Sequence, residues 1–303
     1  MGETKDARAE RTGKVAFIGV GAMGAPMAAC IARARHPLTV YDSAPDRAEA
    51  VAQAHGCRAA AGLDELIYAD FVVTMLPTGR IVSDLYLREG LARRLAPGTI
   101  AIDMSSSDPI GTRELGVRLA ASGITLIDAP VSGGVPRATQ GALTIMIGGD
   151  DASTIERARP LLRAMGDRLF DTGGLGSGHA MKALNNFVAA TSFAACAEAL
   201  LAGQRFGLDP ARMVEILNVS TGRCFHTDQV LREHVLGGRF ATGFQLGLLA
   251  KDVRIAADLA DDLQLHAPLV HLVSKRFEQA RDALGATCDH TEAIKAWDNT
   301  SAA

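Results

Sequence analysis

KVAFIGVGAMG, Lys14–Gly24, decides the fold of this chain. Lys14–Ile18 is a short apolar run that ends at the first of three glycines spaced G-x-G-x-x-G, and a helical segment follows. In a strand–turn–helix of this kind Gly19 makes the turn, Gly21 lets the backbone approach a pyrophosphate, and Gly24 lets the helix pack on the strand. Phosphates then rest on free N–H groups at the helix N-terminus, where the helix dipole favours anions. Gly19-Val20-Gly21-Ala22-Met23-Gly24 is therefore read as a dinucleotide loop. A second strand, Leu38–Tyr41, runs into Asp42, 18 residues after Gly24, where a carboxylate accepts from the adenosine ribose hydroxyls. That carboxylate repels a 2′-phosphate, and Ser43 is not an arginine that could pair with one. Arg47, the nearest base, falls within the next helix. NAD is favoured over NADP.

The alternation continues outward from this unit. Helices are expected near 63–69, 81–95 and 109–121, and strands at Phe71–Met75, Thr99–Met104, Ile124–Ile127 and Leu143–Ile147. Strands alternating with helices predict a parallel, doubly wound sheet, whose ligands bind beyond the carboxyl ends of the strands. Three strand ends carry polar or turn residues: Leu76-Pro77-Thr78, Asp103-Met104-Ser105-Ser106-Ser107, and Asp128 through Ser132-Gly133-Gly134. Serines in loops often do no more than form turns, but their recurrence on one edge points to a cleft. Ser132-Gly133-Gly134 is either a flexible turn or an anion nest of inward N–H groups, which suits a carboxylate.

After glycines at 173, 174, 176 and 178 comes a run free of Gly and Pro up to Gly203, long enough for a helix of about seven turns. Its early turns carry Lys182, Asn185 and Asn186, and Phe187–Ala197 contains no charge. An uncharged helix of this sort is expected to be buried, and the stretch falls short of the ~20 residues that cross a bilayer. Lys182 and Asn186, four apart, share one face. They are either a solvated first turn or a reactive pair entering a core. Further on, Pro210–Leu217 reads as a helix capped by Asp209, and Asn218–Arg223 as a loop from which Arg223 either reaches a substrate anion or is merely solvated. Phe244, Leu248, Lys251, Ile255 and Leu259 recur as an amphipathic stripe. Lys251 in that stripe either snorkels to the rim or meets a ligand. His266–Ala283 reads as a helix with Leu269, Leu272, Val273 and Phe277 turned inward.

Composition bounds the rest. At 303 residues, with 48% hydrophobic and 21% charged residues, the chain has room for two soluble domains. A net charge of −3 and a pI near 6.2 give no reason to expect nucleic acid or an anionic membrane as partner. The cysteines are scattered without a C-x-x-C, as in a reducing compartment. No histidines stand at metal-ligand spacing, so no metal is expected. Residues 1–12 are polar and read as a disordered tail, with acidic residues that argue against a transit peptide and no myristoylation pattern at Gly2. Cytoplasmic location is the expectation.

FIGVGAMGAPMA (Phe17–Ala28), MLP (Met75–Pro77), DMSSS (Asp103–Ser107), DAPVSGG with GALTIMIGG (Asp128–Gly149), GHAMKALNN (Gly178–Asn186) and LLAKD (Leu248–Asp252) together resemble the β-hydroxyacid dehydrogenases. That family includes 3-hydroxyisobutyrate dehydrogenase and tartronate semialdehyde (2-hydroxy-3-oxopropionate) reductase. The resemblance implies an α/β Rossmann-type doubly wound domain over 13–176, an all-α C-terminal domain over 177–303 and a substrate cleft between them. It implies Lys182 as the catalytic residue, Asn186 as its substrate-orienting neighbour with Asn185 beside it, and Ser132-Gly133-Gly134 as the carboxylate site. Cofactor contacts from Leu76, Pro77, Ser105 or Ser106, and Lys251 are implied as well. The related 6-phosphogluconate dehydrogenases carry a decarboxylating Glu three residues after the Asn, where this chain has Ala189. Imine reductases usually replace the Lys, which is kept here. The expected activity is NAD-dependent interconversion of a small β-hydroxy acid and its semialdehyde without decarboxylation, by a homodimer or homotetramer. A non-catalytic NAD-responsive module is the reading from a different class, since fold alone does not exclude it.

Overall fold

The computed structural model describes residues 13–298, so the tail expectation for 1–12 lies outside the described residues. Six strands, β1 (Val15–Ile18), β2 (Leu38–Tyr41), β3 (Arg58–Ala59), β4 (Phe71–Thr74), β5 (Ile100–Asp103) and β6 (Thr125–Asp128), pair in parallel in the order β3-β2-β1-β4-β5-β6. This is the Rossmann-type order, with its reversal between β1 and β4. β7 (Val131–Ser132) and β8 (Leu143–Gly148) extend the sheet antiparallel, and β9 (Gly166–Gly173) pairs parallel to β8.

Every side chain of β1 is buried, and its alternation feeds two cores. Val15 and Phe17 join α1 (Gly24–Arg33), α2 (Pro45–His55), α5 (Gly134–Gln140) and α6 (Ala152–Met165) on one face. Ala16 and Ile18 join α3 (Gly79–Leu87) and α4 (Pro109–Ala120) on the other. Helices on both faces explain why the strands read as apolar runs instead of alternating patterns.

Two expected helices shorten. Leu63–Ala69 is only a 3₁₀ turn at Leu63–Glu65: the Glu65, Leu66 and Ala69 N–H groups donate to carbonyls three residues back, and Asp70 N–H already turns to the Lys14 carbonyl at 2.9 Å. The helix expected over 81–95 stops at Leu87, with Gly90 in the left-handed region (φ +78°) before a second 3₁₀ turn.

Contacts divide the described residues into two compact units, one of 13–107 with Gly111–Gly178, the other of Asp108–Ile110 with 179–298. The second is helical: α7 (Ser177–Phe206), α8 (Pro210–Asn218), a π-helical segment His226–Leu236, α9 (Leu246–Asp262), α10 (Pro268–Leu284) and α11 (Ala293–Asp298). Asp209 caps α8 by accepting from Arg212 N–H at 2.7 Å. Its core gathers Phe193 and Leu200 from α7, Leu249 and Val253 from α9, Phe277 from α10 and Trp297 from α11.

Three packing expectations are corrected. α7 is not buried all round: Met181, Leu184 and Val188 are exposed along one side. On α9 the buried side runs through Leu246, Leu249, Ala250, Val253, Ala256, Ala257, Leu259 and Ala260, so Leu259 of the expected stripe lies inward while Leu248 is exposed. On α10, Val270, Val273, Phe277 and Ala280 are buried, and Leu269 and Leu272 are exposed. On α9 the buried side is rich in small alanines, and counting only large apolar residues rotates the inferred face, while on α10 the inward side runs through Val270 in place of Leu269.

Candidate active site

The dinucleotide loop shows which glycines the chain needs for itself. A Cβ on Gly24 would lie 1.8 Å from the Gly19 carbonyl oxygen, and one on Gly19 (φ +94°) 2.4 Å from the Met75 carbonyl oxygen. A Cβ on Gly21 would meet nothing within 4 Å. No contact among the described residues therefore demands glycine there, which fits a ligand brought against bare backbone. Ala22 beside it is exposed and Met23 half-buried.

Asp42 is buried at the end of β2 and held from both sides. Its Oδ2 accepts from Val20 N–H and its Oδ1 from Ala44 N–H, each at 2.9 Å, which ties the acid to the loop itself. Arg47 stands 4.0 Å from Oδ1. A carboxylate oxygen accepts more than one hydrogen bond, so capacity remains for ribose hydroxyls. These residues fit a dinucleotide.

Across the reversal point, β4 and β5 end in a linked polar network. Leu76 N–H donates to Ser105 Oγ at 2.9 Å. Asp103 accepts at Oδ1 from the Thr74 hydroxyl (2.9 Å) and Ser105 N–H (3.1 Å), and at Oδ2 from the Ser107 hydroxyl (2.7 Å). Burial, and then the Asp103 charge, push the Tyr86 phenol far above its ordinary value and keep it protonated. Ser105 Oγ thus braces the Leu76-Pro77 turn, and Ser106 is half-buried. The Ser132-Gly133-Gly134 segment is no loose turn. Gly133 (φ +132°) and Gly134 (φ +64°) swing the chain from β7 directly into α5, with both glycines exposed.

In the helical unit Ala183 of α7 packs with Ala256, Ala257 and Ala260 of α9. The close approach lets Asn186 Nδ2 donate to Asp252 Oδ2 at 2.6 Å. A carboxylate accepts only, so this bond fixes the amide with Oδ1 turned the other way. There Oδ1 accepts from Lys182 Nζ at 3.4 Å and from Asn185 Nδ2 at 3.1 Å. Lys251 Nζ lies 3.0 Å from Asp252 Oδ1. Burial lowers the Lys182 pKa below the ordinary lysine value; the Asp252 charge opposes the shift and the Lys251 charge adds to it. Lys182, Asn185, Asn186 and Lys251 are thus gathered at one site. Arg223 instead pairs with Asp228 at 3.2 Å on an exposed surface.

Comparisons with known proteins fit this geometry. A family model described as the NAD binding domain of 6-phosphogluconate dehydrogenase matches residues 14–174, and one described as NAD-binding of NADP-dependent 3-hydroxyisobutyrate dehydrogenase matches 176–297. The chain is 33% identical to 2-(hydroxymethyl)glutarate dehydrogenase of Eubacterium barkeri, over 95% of this chain and 96% of that one. It is 36% identical to 3-hydroxyisobutyrate dehydrogenase of Pseudomonas aeruginosa, over 87% and 90%. The structure of Mycobacterium tuberculosis 3-hydroxyisobutyrate dehydrogenase with L-serine superposes with a TM-score of 0.87 at 33% identity, covering 94% of this chain and 99% of that one. The chain belongs to the β-hydroxyacid dehydrogenase family.

As a β-hydroxyacid dehydrogenase it is an oxidoreductase acting on a CH–OH group, with an NAD-binding domain. From Ala189 to Cys196 this dehydrogenase has no carboxyl group on α7. α7 is also long and apolar enough to cross a membrane by length and composition, but Phe193, Ala197 and Leu200 pack in the core of the helical unit. The buried anchor Asp252 was not singled out from the sequence. The signal was present in LLAKD, where an acid falls on the alanine-rich side of α9.

Proposed function

We propose that this protein oxidises a small β-hydroxy acid to its semialdehyde, and reduces it back, with NAD and without decarboxylation, in the manner of 3-hydroxyisobutyrate dehydrogenase. The observation that carries the reading is the series Lys182–Asn186–Asp252, half-buried at the lysine and buried beyond it, whose lysine is pushed towards its neutral form. In oxidation the neutral Lys182 Nζ takes the hydroxyl proton, and in reduction the ammonium returns it. Asn186 holds Nζ in line through an amide oriented by Asp252, and Lys251 balances that carboxylate. NAD, held at Gly19–Gly24 and Asp42 with the Leu76-Pro77 turn and Ser106 beside it, supplies the hydride chemistry. Ser132-Gly133-Gly134 presents exposed backbone suited to the substrate carboxylate. Ala189 leaves no acid for a decarboxylation step. The exposed Met181, Leu184 and Val188 support a homodimer or homotetramer, and the free cysteines suit the cytoplasm.

A second reading, L-serine as the hydroxy acid, is favoured by the structural relative holding L-serine. The test is reduction of NAD and of NADP at alkaline pH with 3-hydroxyisobutyrate, glycerate, serine and threonate in parallel. The expected result is the highest kcat/KM with 3-hydroxyisobutyrate and with NAD. A preference for NADP would overturn the role given to Asp42, and no turnover with any acid would overturn the dehydrogenase reading.

A further inference from the structure

Two thiols outside the Lys182 cluster face each other. Cys196 lies on α7 and Cys224 just before the π-helical segment, and their Sγ atoms are 3.6 Å apart, 28 residues separated in sequence. Cys30, Cys57 and Cys288 have no sulfur neighbour of this kind among the described residues. The two environments differ. Cys196 is buried against the Phe193 and Val214 core. Cys224 is half-buried between Arg223 and Phe225, both exposed, so a small reagent reaches its sulfur first.

We propose that Cys196 and Cys224 are a modification site: a dithiol that a peroxide converts to a reversible intramolecular disulfide, with Cys224 attacking and Cys196 resolving. In the first step the Cys224 thiolate attacks one peroxide oxygen, the O–O bond breaks, and hydroxide leaves to become water by taking up a proton. Cys224 is now a sulfenic acid. In the second step the Cys196 sulfur gives up its proton and attacks the Cys224 sulfur, the S–O bond breaks, and a second water leaves. Two thiols and one hydrogen peroxide thus become one disulfide and two waters, with sulfur oxidised and peroxide reduced. A dithiol reductant reverses it.

The division of roles follows from the surroundings. Burial works against a Cys224 thiolate. The Thr227 N–H, the Cys196 thiol, the His226 N–H and the Thr227 hydroxyl outweigh it and hold Cys224 below the ordinary thiol range. Burial first, then the bond to Cys224 and the Cys224 charge, push Cys196 up to about 12. A polarised half-exposed thiol beside a buried protonated one is the arrangement of a peroxide-reactive cysteine with its resolving partner. The bond would tie the turn at Cys224 to α7, which carries Lys182.

The experiment treats the reduced full-length protein with equimolar hydrogen peroxide and reads intact mass, then maps non-reduced peptides. The expected result is a loss of about 2 Da, reversed by dithiothreitol, with a single linked pair, Cys196–Cys224. Cys196→Ser should instead gain about 16 Da and react with dimedone, while Cys224→Ser should keep its mass at the same dose. Linkage of any other pair, or a wild-type mass that stays unchanged or only gains oxygen, would overturn the proposal, and the peptide map decides this on wild-type protein alone.

Discussion

Lys182 is tuned by two charges of opposite sign held on one helix. The Asp252 carboxylate favours the ammonium and the Lys251 ammonium disfavours it, while burial sets the baseline below the ordinary lysine value. Oxidation needs the neutral amine, so kcat for alcohol oxidation should rise with pH and level off once Lys182 has lost its proton. Asp252→Asn removes the charge that raises the pKa and should move this limb to lower pH. Lys251→Met removes the charge that lowers it and should move the limb to higher pH. Steady-state pH profiles of the two variants check this, and limbs that shift in the same direction would mean that another group is titrating. The sequence displayed Lys182 and Asn186 on one helical face because a spacing of four is visible in any sequence. It did not display the amide's orientation, which depends on a carboxylate 66 positions away.

At the level of elements, the loop between β1 and α1 separates what the fold requires from what a ligand requires. Gly24→Ala drives a Cβ into the Gly19 carbonyl and should cost about 3 kcal/mol or more, seen as a lowered Tm without ligand. Gly21→Ala meets open space and should leave Tm nearly unchanged while weakening NAD binding at least about tenfold, or about 1.4 kcal/mol. Thermal melts with and without NAD distinguish the two. A Gly21→Ala protein that binds NAD normally would remove the pyrophosphate from this loop. The strands and this loop were legible because buried parallel strands are apolar runs punctuated by glycine. The inward face of α9 was hidden because Ala250, Ala256, Ala257 and Ala260 lie on it and Leu248 does not, and on α10 Val270 and Ala280 lie inward while Leu269 and Leu272 do not. The helix α5 was hidden behind Gly133 and Gly134, which read as a turn and also start a helix.

The molecule as a whole carries an acid limit in its helical unit. Burial, and then the His290 charge, hold His226 down to about 4, with its Nδ1 sharing a 2.7 Å hydrogen bond with Ser192 Oγ. The unfolded chain protonates this ring near 6.5, before the folded one does, so it binds more protons between those values. Stability should therefore fall as pH drops from about 6.5 to about 4, by about 3 kcal/mol from this residue, and level off below. Urea melts across that window test the sign, and His226→Gln should flatten the slope. The order of the six parallel strands follows from a sequence that alternates strand and helix around one glycine loop, whereas in the π-helical segment around His226 the inward pairs Val230-Leu231 and Val235-Leu236 stand five apart, off the spacing of an α-helix. The central claim is that Lys182 moves the proton of a hydroxy acid oxidised by NAD. The measurement that bears on it most directly is kcat for Lys182→Arg, with cofactor binding followed in the same protein. A guanidinium cannot give up its proton. A kcat about 10²–10⁴-fold below wild type with NAD binding retained is expected, and a Lys182→Arg enzyme that keeps most of the wild-type kcat would contradict this role for Lys182.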